Sequence, residues 1–314
     1  MSLCTNGYGK RDNVLSLHTN IASNAALNGM RKAGGQLATA QERLGSGKRI
    51  NSASDDAAGL QIATRLKTQS SGMAVAMRNL QNSISMLQTA DALLGEMNNM
   101  LGRMSDLAIQ AADGASTLAD RKAMHAEYAT LSEQVYDTMQ ESRYAGTYLF
   151  RYVVAPPGPD GPGTFGLGPV TFQTGSSAEE SVTVDFRNDL GQINVALYYA
   201  IDNGNLHNHP QDAPDTDLTS AESANLMVDR LAEAQQSITK LRSGLGALGN
   251  RFESAFSNLG QMKLNTDAAA GQIADADFAT EVADMTRSQM LTQAGSAMLK
   301  QASGMSRMVI SLVE

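Results

Sequence analysis

The chain has 314 residues, a net charge of −8, one cysteine and no tryptophan, and only 5% of its residues are aromatic. The lone Cys4 excludes an intrachain disulfide, and no basic stripe interleaves with aromatic residues as a nucleic-acid surface requires. No apolar run reaches the length of a membrane-spanning helix, so no membrane insertion is expected.

All seven prolines lie between Pro156 and Pro214. Proline breaks helix interiors, so two long helical flanks are predicted around one loop-rich insert. From the start, Val14 to Leu44 reads as a helix with Leu17, Ile21, Leu37 and Leu44 set among alanines, and Gly45-Ser46-Gly47 ends it. A short extended joint follows. Ser54 is predicted to cap the next helix, with Asp55 and Asp56 in its first turn, where the helix dipole favours carboxylates.

From Met73 through Leu80, Leu87, Leu94 and Leu101 to Ala108 the apolar positions step by three and four. That row is roughly 54 Å of helix. Ala112-Asp113-Gly114 interrupts it, and a second row runs Met124, Tyr128, Leu131, Val135, Met139, with Gly146 marking its end.

The centre alternates differently. Val170 and Phe172 pair in the predicted pattern with Val182, Val184 and Phe186, as strands of a half-buried hairpin. Ile193, Val195 and Leu197 read as a further strand. Residues 202–217 read as a polar loop. The helical pattern returns from Leu231 to Met262, and a last row runs Leu291, Ala294, Met298, Ala302, Met305, Val309, Leu312.

The predicted fold is mainly α: a long antiparallel coiled-coil-like helical bundle from both chain ends, with a small central β-hairpin and loop insert. Its expected divisions are 1–55 with 272–314, 56–149 with 221–271, and 150–220. Two outer helices alone bury little, so they are expected to order only against copies of the chain.

Chemical motifs are sparse. Gly244-Leu-Gly-Ala-Leu-Gly249 matches a dinucleotide fingerprint, but it lies inside a heptad row, where glycines serve close packing. His207 and His209 share one face of an extended segment, yet no further cluster completes a metal site. No base sits beside a nucleophile. No catalytic residue, cofactor or metal is expected, and the chain is not expected to be an enzyme. Residues 1–12 carry no secretory pattern, which leaves a cytoplasmic protein or export without a cleaved leader.

Several stretches resemble bacterial flagellin: Gln41 to Gly59, which reads QERLGSGKRINSASDDAAG; Ile273 to Val282, IADADFATEV; Leu248 to Phe252; and Gln293-Ala-Gly295 with Met308 to Val313. The hairpin from Phe172 to Phe186 is also similar. The resemblance covers residues 14–150 and 170–314. It implies a structural subunit that joins its own kind into a helical homopolymer, with a reduced outer domain. The terminal helices would line the filament core, joined through Leu17, Ile21, Leu37, Leu44, Leu291, Met298, Met305, Val309 and Leu312. It also implies passage through the flagellar channel to the cell exterior, an export chaperone on the C-terminal helix, and contact with hook-associated and cap proteins. Arg103, Leu107 and Glu127 match positions read by an animal Toll-like receptor. The opening residues with Cys4, and the Val313-Glu314 ending, depart from the family pattern. A hook–filament junction protein and a flagellin-like cell-surface binding protein are the other readings.

Overall fold

The computed structural model describes residues 21–151, 163–201 and 218–311, with Ala22 and 305–311 as backbone only. Leu17, Leu312, Cys4, His207 and His209 lie outside the described residues, as do the side chains of Met305 and Val309. The elements run α1 (Ile21–Ser46), α2 (Ala57–Ala112), α3 (Leu118–Glu141), β1 (Arg143–Tyr144), β2 (Thr147–Tyr148), β3 (Val170–Gln173), β4 (Ser181–Val184), α4 (Arg187–Ala200), α5 (Ala221–Ala274) and α6 (Phe278–Ser311). They divide into two compact units, residues 1–67 with 267–314 and residues 68–266.

Unit 68–266 is built on the two long apolar rows. Met73, Leu80, Leu87, Leu94 and Leu101 of α2 are buried with Leu231, Ile238, Leu245 and Phe252 of α5. Steps of three and four keep each row on one side of its helix, so the rows face each other along their length. Gly260 comes close to Met77, Gly95 to Arg242, and Gly102 to Gln235, so the two helices run antiparallel. Tyr128, Val135 and Met139 of α3 join the same core. A reciprocal capping box starts α3: Asp120 N–H donates to the Thr117 hydroxyl, and the Asp120 carboxylate accepts from Thr117 N–H.

The β elements close the unit. β3 and β4 pair antiparallel, with Val170 opposite Val184 and Phe172 opposite Val182. Phe172 meets Phe252 edge-on at 5.1 Å, which seats the hairpin on α5. A second, smaller hairpin, β1–β2, follows α3 and was not legible in the sequence. Its turn residues Ala145 and Gly146 both have positive φ, the conformation a tight hairpin turn needs. Gly146 therefore belongs to that turn, five residues past the end of α3.

The expected strand through Ile193, Val195 and Leu197 is corrected to helix α4. Leu190, Ile193, Leu197 and Ala200 are buried while Val195 is exposed, which is a period of three and four. The Tyr128 hydroxyl donates to the Ala200 carbonyl and ties the end of α4 to α3. The cap of α2 also moves. Asp56, not Ser54, stands at its start, accepting from Gly59 N–H at 2.9 Å, and its carbonyl takes Leu60 N–H.

Candidate assembly interface

Unit 1–67/267–314 pairs α1 with α6. Arg43 reaches Glu281 at 3.7 Å and Gly295 lies against Met30, so the helices are antiparallel. Neither α1 nor α6 waits wholly for copies of the chain: one side of each is already occupied. On α6 that side is Glu281, Ser288 and Ala302, all buried, with Gly295 between them at the same seven-residue step. On α1 it is Ala33 and Ala40, flanked by the half-buried Met30, Leu37 and Leu44. Small side chains let the two backbones approach closely.

Met285 and Leu299 of α6 are half-buried beside this seam, but other large apolar residues are left outside it. Leu291 is 51% exposed and Met298 66%, whereas Ala302 is the one buried member of the expected row among the described side chains. Successive positions turn by about 100°, so Leu291 and Met298 sit roughly 60° round from Ser288 and Gly295. Val282 and Met290 are exposed on two further sides. On α1, Ile21 is 75% exposed. A helix that is apolar on several sides is one built to be buried on several sides.

The joints at the near end of this pair are stapled together. Arg49 N–H donates to the Ala274 carbonyl at 2.7 Å, and Ala276 N–H returns to Gly47 at 3.0 Å. Arg49 Nη2 adds a bond of 2.8 Å to the Ile273 carbonyl. Lys48 and Asp275 form an isolated antiparallel bridge. The sequence stretches 41–59 and 273–282 thus meet as one structure.

Two carboxylates order the joints. Asp55 accepts from Ser52 and Asn51 N–H and from the Ser52 hydroxyl, and these bonds hold its carboxyl below the ordinary value of 3.8, the Ser52 amide most. Asp277 caps α6, accepting from the Thr280 hydroxyl and Ala279 N–H, and is lowered in the same way, chiefly by Thr280. Gly59 is needed here, since a Cβ would stand 2.7 Å from Ile50 Cδ1 and closer still to Asp56.

In unit 68–266, Arg103 and Glu127 come together: Nε and Nη2 of Arg103 reach Glu127 Oε1 at 2.9 and 2.7 Å. Both side chains are about half exposed. Leu107 is one turn further along α2, but only 2% exposed, so its side chain is core and offers no surface contact. The glycines Gly244, Gly246 and Gly249 lie in the interior of α5, where backbone amides are committed to helix hydrogen bonds and cannot face a pyrophosphate. No group of three or more His, Cys, Asp or Glu able to hold a metal occurs among the described residues.

Comparison with known proteins gives matches at both ends. Residues 17–154 match the family model described as the bacterial flagellin N-terminal helical region, and residues 228–313 match the C-terminal helical region. Flagellin A of Vibrio cholerae serotype O1 is 29% identical, covering 96% of this chain and 100% of its own. The flagellin of Listeria monocytogenes is 32% identical, over 95% and 99% of the two chains. Among solved structures, a putative flagellar hook-associated protein from Vibrio parahaemolyticus superposes with a TM-score of 0.52 at 14% identity, over 70% of this chain and 100% of its own. At that identity the likeness is one of fold alone.

Proposed function

Because the chain belongs to the bacterial flagellin family and is a structural subunit of the flagellar filament, we propose that it joins its copies through the uncovered sides of α6 and α1. The observation that carries this is the exposure of Leu291 and Met298 beside a seam of small residues that already satisfies the pairing inside one chain. The apolar row through Leu291 and Met298 would meet Ile21 on α1 of a copy, and Leu37 and Leu44, half-buried within their own chain, would add only their remaining surface. Leu17, Met305, Val309 and Leu312 are assigned to the same contact from their places in the sequence. Unit 1–67/267–314 would then form the filament core, and unit 68–266 the outer wall. A contact between different patches on successive copies does not close on itself and so extends into a filament.

No catalytic step is assigned to the chain. Export through the flagellar channel, a chaperone on α6, and contacts with hook-associated and cap proteins are parts of this reading. Recognition by an animal Toll-like receptor would rest on the Arg103–Glu127 pair at the surface, with Leu107 supporting it from beneath.

The test is elongation of filament seeds by added monomer, followed by electron microscopy. Wild-type chain should extend the seeds, and Leu291→Glu should not, while circular dichroism of the two monomers stays alike. Growth by Leu291→Glu at the wild-type rate would remove α6 from the interface. Wild-type monomer that never extends a seed would refute the whole reading.

A further inference from the structure

Resting on that assembly reading, we propose that Met298 is an oxidisable site that decides whether a free subunit can be incorporated. The described methionines range from buried to well exposed. Met73, Met97, Met104 and Met227 are buried at 1% exposure or less, out of reach of a dissolved oxidant. Met298 is 66% exposed, Met290 58% and Met262 40%. Of these three, Met298 alone shares a row with Leu291, seven residues away and therefore on the same side of α6.

A thioether suits this face in its reduced form, being apolar and able to adapt to an irregular partner surface. A hydroperoxide changes it. The sulfur lone pair attacks one peroxide oxygen, the O–O bond breaks, and the departing oxygen takes up a proton to leave as water or an alcohol. The sulfur is oxidised by two electrons and the peroxide is reduced by two. The sulfoxide is polar and branched by its new oxygen. Joining a copy of the chain would bury that oxygen against aliphatic side chains with no donor for it, and an unpaired buried polar atom is unfavourable. Once Met298 is covered in the filament, the same packing keeps peroxide away. Oxidation therefore rejects damaged subunits before they join and spares those already in place.

The experiment treats full-length monomer with dilute hydrogen peroxide, maps sulfoxides by peptide mass spectrometry, and measures seeded elongation. Met298 should be oxidised ahead of Met262, and elongation should fall by about tenfold to a hundredfold. A methionine sulfoxide reductase should restore it, and Met298 in finished filaments should resist the same dose. Each variant is compared with its own untreated rate: Met298→Leu should lose a much smaller fraction of that rate to peroxide than wild type does, whereas Met290→Leu should lose as large a fraction as wild type. Met298→Leu that loses as large a fraction of its untreated rate as wild type, or wild type that elongates undiminished with Met298 fully oxidised, overturns this inference and leaves the assembly reading standing. Untreated wild type that never elongates overturns both.

Discussion

Gly295 of α6 lies against Met30 of α1 so closely that a methyl group placed on it would stand 3.4 Å from Met30 Cβ. That distance is tight contact without overlap. Gly295→Ala should leave the pairing intact, and the better helix propensity of alanine favours it by up to about 1 kcal/mol. Gly295→Leu has no room and should drive the two helices apart. Amide exchange across α1 reads the difference: protection kept in the alanine variant, and lost in the leucine variant.

Leu107 and Arg103 occupy the same helix but should behave oppositely. Leu107→Ala opens a cavity in the core and should cost about 2–5 kcal/mol of unfolding free energy. Arg103→Ala removes one exposed ion pair and should cost less than about 1 kcal/mol. Denaturant titration of both variants tests this. Equal, small losses would mean that Leu107 does not contribute to the core.

The pH response follows from Asp55 and Asp277. Both carboxyls are held below 3.8 when folded, so the folded form favours their ionised state. Their contribution is complete above the unfolded value and disappears as pH falls through the lower folded one. The joint between α1 and α6 should loosen below about pH 4. Asp277→Asn keeps an acceptor for Ala279 N–H but cannot titrate, so exchange protection at the start of α6 should become less pH-dependent. An unchanged pH profile in that variant would assign the transition elsewhere.

Removing residues 291–314 takes away the exposed apolar row and half of the α1 partner surface. Seeded elongation should stop, while the melting transition of unit 68–266 should persist, because its core draws on none of those residues. Loss of both together would show that the two units fold as one.

Asp91 and Arg242 join α2 to α5 through bonds of 2.8 and 3.3 Å, and both side chains are more than one-third exposed. Hydrogen bonding to Asp91 raises the Arg242 pKa, so the guanidinium stays charged throughout. Water screens such a pair, and a double-mutant cycle should give a coupling of about 0.2–1 kcal/mol.

The long helices were legible because their signal is redundant. From Met73 to Ala108 and from Leu231 to Met262 the apolar step repeats many times, and one exception cannot mask it. The β3–β4 hairpin was legible for the same reason, with Phe172 and Val182 opposed on one face. Short elements lacked that redundancy. In α4, the spacing of Ile193, Val195 and Leu197 imitates a strand, and only Leu190 and Ala200 on either side restore the helical period. The β1–β2 hairpin is two residues per strand, too short for any alternation to register. At the start of α2, three cap-forming residues stand in succession, Ser54, Asp55 and Asp56, and composition does not choose between them.

The assembly face was legible only as a set of residues. By itself the sequence determined that the flanks of the proline-rich insert are helical, that they carry apolar rows in steps of three and four, and that the stretches 41–59 and 273–282 mark a flagellin. The tertiary structure decided which side of each helix is spent inside the chain. Two antiparallel helices approach most closely where their side chains are smallest, so Ser288, Gly295 and Ala302 took the seam with α1. The rotation that brought them there left Leu291 and Met298 outside it. Periodicity fixes which residues share a side; only packing between helices selects the side that stays uncovered.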